Sequence, residues 1–368
     1  MKPFEYGCVV KGEMFCPRPG LESELRRFME TGQNVVIFGE RRIGKTSLIM
    51  SAFGRAKGCR MLYVDLLNIR TISDFCDRVA SAASRMGGTK GVVARILELL
   101  SRLRPTLSVD PQNGMPVVSV DSRLAESVSS FDDVIYMIER LAARERIVVV
   151  FDEFQEILKL EDSAAALAAL RAKIQFLSET CFVFSGSIRR DMVSIFTDYR
   201  SPFYKSAASM NVEAIADEDF IRFLKRRFAV GKRRASKTFL LRVLETANRI
   251  SGDVQQLCDA IWSTSEENAE LGEADLANGV EQILKQDGAS FAIQTEHLTR
   301  YQMKALHGIA SLGGRHVFSA EFIKQAGLSS APTAKRAIEK LINLGLIYCR
   351  ENEYCIFNPF LIEWLKRY

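Results

Sequence analysis

The chain has 368 residues, 47% of them apolar, and a formal net charge of +5. That length accommodates two or three domains. The apolar share excludes a disordered chain, and no apolar run approaches the ~20 residues that span a bilayer.

The N-terminal stretch MKPFEYGCVVKGEMF lacks the continuous apolar centre of a secretory signal. A cytoplasmic protein with no membrane partner is expected. Eight cysteines are scattered without a C-x-x-C pair, so reduced core or strand cysteines are expected rather than a zinc ribbon. Cys349 and Cys355 flank an expected hairpin and could lie near each other. The three histidines fit no metal-ligand spacing.

In chain order, Leu21 to Met29 carries apolar residues at helical spacing behind Pro17-Arg18-Pro19-Gly20. Val35 to Phe38 is a β-branched apolar strand that breaks at Gly39. The string Gly39-Glu40-Arg41-Arg42-Ile43-Gly44-Lys45-Thr46-Ser47 then opens a helix. Strand, Gly-x-x-x-x-Gly-Lys-Thr and helix in that order form a P-loop. The glycines let the backbone close around phosphate oxygens, and the loop and helix N–H groups attract the anion. Lys45 reaches the β- and γ-phosphates, and the Thr46 hydroxyl suits Mg²⁺. ATP and Mg²⁺ are therefore the expected cofactors, with residues 39–47 as the nucleotide cradle.

A second strand is expected over Arg60 to Leu66, with helices over 72–86 and 91–104 separated by Gly87-Gly88. Two alternating runs between 105 and 121 flank Asp110-Pro111-Gln112-Asn113-Gly114, which is hairpin chemistry. This inserted hairpin is either a contact device or an idle surface feature. A helix over 131–144 precedes Arg146-Ile147-Val148-Val149-Val150-Phe151-Asp152-Glu153. An uninterrupted apolar strand of this kind is buried on both faces in a parallel sheet, and here it ends in two acids. Asp152 is expected to hold Mg²⁺ and Glu153 to act as general base on the attacking water. The second acid favours hydrolysis over simple binding.

After an Ala-rich helix over 163–178, Cys181 to Ser185 reads as another buried strand ending in Ser185-Gly186-Ser187. Ser187, with Ser185 next, is the candidate γ-phosphate sensor. A helix N-cap is the equal alternative. Arg189, Arg190 and Arg200 lie near the expected γ-phosphate edge. Arg200 is the candidate for stabilising transition-state charge across a subunit interface, and surface placement is the bland alternative for each. A short strand near Met210–Val212 closes this region.

From Asp217 the pattern is helical, over 217–229, 236–248, 253–268 and 273–287, as expected of a small lid. KRRFAVGKRR (225–234) reads either as a solvated face or as a partner contact. Phe291 to Tyr368 holds ten Lys/Arg against six Glu. It is expected to form helices over 298–311, 319–325 and 331–344 and a hairpin over 346–357, the pattern of a winged helix-turn-helix. Lys335, Arg336 and Lys340 on its second turn helix could face a major groove, and a protein-contact role is the alternative.

Taken together, IFGERRIGKTSLI (37–49), the 105–121 hairpin, VVVFDEFQEI (148–157), FSGSIRRDM (184–192), SPFY (201–204) and the tail FNPFLIEWLKRY resemble the archaeal-type P-loop ATPase family. That family is related to AAA+ and STAND ATPases and, more distantly, to origin-recognition initiators. The resemblance implies ATP binding and hydrolysis, an additional-strand α/β parallel sheet, a helical lid and a C-terminal winged helix. It departs at Phe203-Tyr204-Lys205-Ser206, where family members often carry an arginine after the Pro-aromatic-Tyr segment. It departs again at Gly252-Asp253-Val254-Gln255, where Gln255 stands at the initiators' lid arginine.

The expected domains are an ATPase domain over 1–213, a lid over 214–289 and a winged helix over 290–368. The expected function is an ATP-driven switch binding ATP/ADP, with double-stranded DNA as a candidate partner. A signalling or scaffold ATPase that self-associates or grips a protein partner is the alternative.

Overall fold

The computed structural model describes residues 2–86, 90–111, 114–121, 129–143, 145–187 and 190–367. Two compact units form, one of Lys11–Glu213 and one of Met1–Val10 with Ala214–Tyr368.

In the first unit, α1 (Pro19–Thr31) buries Leu25, Phe28 and Met29 on one stripe, and Gly32 in the left-handed conformation ends it. Then come β1 (Val35–Gly39), α2 (Lys45–Arg55), β2 (Cys59–Asp65), α3 (Ile72–Met86) and α4 (Lys90–Leu99). A hairpin of β3 (Thr106–Val109) and β4 (Pro116–Ser119) follows, then α5 (Ser129–Ala142), β5 (Arg146–Asp152), α6 (Ser163–Ile174), β6 (Cys181–Ser187), α7 (Arg190–Thr197) and β7 (Ala208–Val212). The five strands outside the hairpin make one parallel sheet in the order β2-β5-β6-β1-β7. The strand with the paired acids is thus not the neighbour of the P-loop strand; β6 lies between them. Ile147 to Phe151 are fully buried, as a central parallel strand requires. Phe151, Phe154, Phe182, Phe184, Phe196 and Phe203 pack ring on ring, with neighbouring centroids 4.7–6.3 Å apart. Each buried ring contributes roughly 1.5–3 kcal/mol by transfer alone. This wall holds the carboxyl ends of β5 and β6 in place.

The helix expected over 91–104 is interrupted: α4 ends at Leu99, and Ser101–Leu103 is a separate 3-10 turn. The inserted hairpin is present and docks on α3 through Ser81, whose hydroxyl donates to Val118 O (2.9 Å) and accepts from Val118 N–H (3.1 Å). All four residues of β3 are exposed. The Gly87-Gly88 break, Gln112-Asn113 of the turn, and Arg189 lie outside the described residues.

The second unit starts with α8 (Asp217–Val230), α9 (Lys237–Thr246), α10 (Ser251–Thr264) and α11 (Glu273–Glu296). Residues 1–10, expected with the nucleotide domain, belong here. Phe4 is fully buried and packs its ring at 4.7 Å on Phe228, Arg227 donates to Pro3 O, and Lys2 pairs with Asp259. The boundary expected at 289/290 falls inside α11, which runs on to Glu296. The basic cluster 225–234 is partly spent within its own unit. Besides buried Arg227, Lys232 pairs with Glu267, and Arg233 donates to Ser265 and to the Gly231 and Trp262 carbonyls.

The last segment forms α12 (Arg300–Leu312), α13 (Ala320–Gln325), α14 (Ala331–Asn343), the hairpin β8 (Ile347–Arg350) and β9 (Glu353–Ile356), and α15 (Pro359–Leu365). Ser319 and Ser330 cap α13 and α14 by accepting from Phe322 and Thr333 N–H, which satisfies donors that a helix start leaves open. Three helices and a hairpin make the expected winged helix. In its register Cys355 pairs with Tyr348 and Cys349 with Tyr354, so the two cysteines face opposite sides of the hairpin and do not meet. Pro359 starts α15, which the sequence reading missed. It packs Trp364 against Phe291 of α11 at 6.2 Å. Among the described residues, no helix is long and apolar enough to cross a membrane.

Candidate nucleotide site

The site sits at the carboxyl ends of β1, β5 and β6, where open α/β sheets bind ligands. Gly44 has φ +97°, a conformation that strains any L side chain, and a Cβ on Gly39 would stand 2.9 Å from Val212 O, so both positions favour glycine. α2 begins at Lys45 with no side-chain cap. First-turn N–H groups have no partner inside their own helix, so this end presents donors to an anion.

Lys45 is buried and donates to Gly39 O and Glu40 O, both at 3.0 Å. Burial pushes its pKa down from the usual lysine value, and the nearby Glu153 and Asp152 carboxylates pull the other way. The Thr46 hydroxyl donates to Asp152 Oδ2 at 2.7 Å, which ties the P-loop to the acid strand across β6. Tyr63 OH donates to the same oxygen at 2.7 Å. Its phenol is pushed far up by burial and by Asp152, so it stays a donor. Hydroxyl, phenol and carboxylate oxygens therefore converge, the donor set that hard cations take. Among the described residues no cluster of three or more His, Cys, Asp or Glu could hold a metal by itself. Thr46 and Asp152 thus fit Mg²⁺ in its usual manner, where few protein ligands share the ion with phosphate and water.

Glu153 leaves β5 in the left-handed conformation, φ +52°, a strained choice for glutamate. Gln155 donates its amide to Glu153 Oε2. Ser187 ends β6, buried, and lines up with Gly39 in the register. Ser185 is fully buried, and its hydroxyl has no hydrogen-bond partner among the described residues. Arg200 is exposed and held bidentately by Asp198 at 2.9–3.2 Å, so it is not built into the cradle of its own chain. Lys205, in the left-handed conformation, lies over the Tyr204 ring. In α10, Gln255 is buried.

Sequence reasoning missed three residues. Arg18, buried, donates to Ile43 O of the P-loop at 2.8 Å and to Glu213 O at 2.6 Å. Burial lowers its pKa. Its own N–H goes to Glu22, which also binds Ser51 and Arg55. The only signal was an arginine set between two prolines. Tyr63 was hidden because its reach to Asp152 depends on the β2–β5 register, which pairs it with Val150. Gln155 was visible as a string of residues but not as a contact.

In the C-terminal segment, Lys335, Arg336 and Lys340 are all exposed on α14 and make no ion pair among the described residues.

The chain matches known families and known folds. The family described as "ATPase domain predominantly from Archaea" matches residues 22–247, and one described as "Probable winged helix domain" matches 289–367. No curated protein matches. Among solved structures, a Walker-type ATPase of Pyrococcus abyssi is 18% identical with a TM-score of 0.65, covering 97% of each chain. The Aeropyrum pernix ORC2 protein is 15% identical with a TM-score of 0.55, covering 95% of this chain and 93% of that one. The Aeropyrum pernix ORC1 protein, solved in complex with DNA, is 15% identical with a TM-score of 0.53, covering 96% and 94%. At these identities the likeness concerns the fold. With the family match spanning most of the chain, the protein belongs to the archaeal-type P-loop ATPase family and joins its ATPase domain to a C-terminal winged helix.

Proposed function

We propose that the protein is a Mg²⁺-dependent ATPase that works as a nucleotide-driven switch and whose winged helix contacts duplex DNA. The observation that carries the nucleotide half is the Thr46–Asp152 contact at 2.7 Å, which brings a P-loop hydroxyl to a strand-end carboxylate. Residues 39–47 would cradle the phosphates, with Lys45 on the β- and γ-phosphates. Bound Mg²⁺, held by Thr46 and Asp152, would supply charge neutralisation at the phosphate oxygens. Glu153 would accept a proton from water as the water oxygen bonds to the γ-phosphorus and ADP leaves. Ser187 would sense the γ-phosphate from β6. Arg200, exposed as it is, could act only on a neighbouring chain's nucleotide, which requires self-association.

On this reading residues 1–213 are the ATPase domain with its 105–121 hairpin, 214–289 the lid, and 290–368 the winged helix. The first ten residues pack with the lid, and α11 is shared between lid and winged helix. The DNA half rests on Lys335, Arg336 and Lys340, exposed and without an ion pair among the described residues. The DNA-bound relative adds support at the level of fold.

One observation favours the protein-contact reading instead. Phe318, Ile342 and Leu344 of the winged helix are exposed and apolar, which suits a protein surface. Phosphate release with wild type and Glu153→Gln tests the enzyme half: the variant should keep nucleotide and lose turnover. A duplex titration with and without ATP, read with the mass in solution, separates the two partners. Salt-sensitive binding supports DNA. Nucleotide-dependent self-association without duplex affinity supports the scaffold.

A further inference from the structure

We infer that Gln155 is the positioning residue for Glu153, holding the carboxylate by one oxygen, and that Gly186 has no side chain because the Gln155 amide occupies its space. This rests on the assignment of Glu153 as general base. Three observations carry it. The Gln155 side chain is buried, and its nitrogen donates to Glu153 Oε2. A carboxylate only accepts, so the nitrogen must be the end that faces it. The other end, Oε1, is buried with no partner among the described residues. An orphaned buried amide oxygen carries a desolvation cost, so the amide is held in place by its other end, the bond to Glu153.

The third observation comes from the neighbouring strand. A Cβ on Gly186 would stand 2.3 Å from Gln155 Oε1, closer than side chains approach one another. The amide thus fills the place of a side chain on β6. Alternation along β6 puts Gly186 on the face of Phe182 and Phe184, opposite Ser185 and Ser187. The amide lies over Gly186 on the strand face that carries Phe182 and Phe184, and Ser185 and Ser187, the candidate γ-phosphate sensors, lie on the other face.

The backbone explains why a residue two positions on can return to the carboxylate. Glu153 takes the left-handed conformation and starts a 3-10 turn over Phe154–Lys159, which folds residue 155 back towards 153. With Oε2 held by the amide, the carboxylate keeps one rotamer, and Oε1 of Glu153 is the oxygen left for water. Fixing a base in one orientation is where proximity effects arise.

The test uses the full-length protein. Gln155→Ala should lower kcat by about 10–100-fold, the range seen when a partner that orients an active-site ligand is removed. The dissociation constant for a fluorescent ADP should stay within twofold. Gln155→Asn, too short to bridge, should behave like Gln155→Ala. Gly186→Ala pushes on the same amide and should reproduce the loss. The double variant Gln155→Ala/Gly186→Ala should be no worse than Gln155→Ala alone, because the closest atom is gone and Met192, whose Sδ stands 3.0 Å from the new Cβ, is flexible enough to give way. If Gly186→Ala does not fold, the double variant should. Additive losses in kcat overturn the inference, as does a Gln155→Ala loss that falls wholly on ADP affinity. Full turnover by Gln155→Ala while Glu153→Gln is inactive overturns it and leaves the base assignment standing. Turnover by Glu153→Gln overturns the base assignment itself.

Discussion

The end of the parallel sheet and the face of α14 both carry positive charge, but they carry it differently. At the sheet end Lys45 and Arg18 are buried, and both are already hydrogen-bonded to backbone carbonyls. On α14, Lys335, Arg336 and Lys340 stand in solvent with no acid partner among the described residues. A buried cation is costly to maintain, so its presence points to a pre-organised site for a highly charged ligand. An exposed one costs almost nothing to keep, so it identifies a ligand only weakly.

The sharpest way to break that contrast is Lys45→Met. Nucleotide affinity should fall by about 100–1,000-fold, since charge-assisted contacts contribute roughly 1.5–3 kcal/mol each. The apo protein, relieved of a desolvated charge, should gain up to about 1 kcal/mol in stability net of the bonds lost at Gly39 O and Glu40 O, or some 2–4 °C in melting temperature. The sign follows from the lowered Lys45 pKa. Below that pKa folded and unfolded chains are both protonated, so the penalty is fully present. Above it the unfolded chain holds the extra proton and stability rises with pH. The gain from Lys45→Met should therefore be full at neutral pH and shrink as pH rises through the lowered pKa. Unchanged nucleotide affinity, measured by calorimetry, would remove the P-loop from the argument.

Arg18→Ala sharpens the same side. It strips a donor from two carbonyls, Ile43 O in the loop and Glu213 O after β7. Losing the bond at buried Ile43 O costs about 1–3 kcal/mol and exposed Glu213 can turn to water, so a net loss of about 1–3 kcal/mol is expected in denaturant unfolding. Arg18→Lys should recover only part, because an ammonium cannot reproduce a fork that reaches two carbonyls. A loss below about 0.5 kcal/mol, the level of an ordinary surface change, would mean that the P-loop does not lean on Arg18.

These residues also show how far the sequence could be read. That Gly39, Gly44, Lys45, Thr46 and Asp152 meet at one sheet end was legible because the P-loop spacing and an acid closing a buried strand are patterns along the chain. β1, β5 and β6 were legible because an apolar run buried on both faces has no other stable place, and β2 and β7, only partly buried, were legible as short apolar runs beside them. Tyr63 and Arg18 were not, since their roles come from strand register and from contacts 89 and 25 residues apart along the chain. The packing of Phe4 on Phe228 was hidden for the same reason, and so was the placement of the first ten residues. α15 was missed because its seven residues show no period of their own, whereas the six of α13 were legible from the turn that joins it to the next helix.

On the other side of the contrast, Lys335→Gln with Arg336→Gln should act through salt. If both meet phosphates, the log–log salt slope of duplex binding should fall by about two. Affinity at moderate salt should drop about tenfold or more while ATP turnover without DNA is unchanged. A wild type with no duplex affinity at low salt would turn attention to Phe318, Ile342 and Leu344.

The smallest effect expected is at Tyr63, and it tests whether the sheet end is organised for the metal as well as for phosphate. Tyr63 OH and Thr46 Oγ1 both donate to Asp152 Oδ2 at 2.7 Å. On Mg²⁺ binding the Thr46 hydroxyl would turn to the ion, which leaves the phenol as the group that keeps the carboxylate in its rotamer. Tyr63→Phe removes one hydrogen bond, about 1 kcal/mol, and keeps the ring. The Mg²⁺ concentration giving half-maximal nucleotide binding should rise about fivefold, while nucleotide binding in excess chelator stays as in wild type. Titration with Mn²⁺, followed by its paramagnetic resonance, reads the metal directly. A tighter metal site in Tyr63→Phe would mean that the phenol competes for the carboxylate rather than aiming it, and the acid strand would then be poised for the apo state instead.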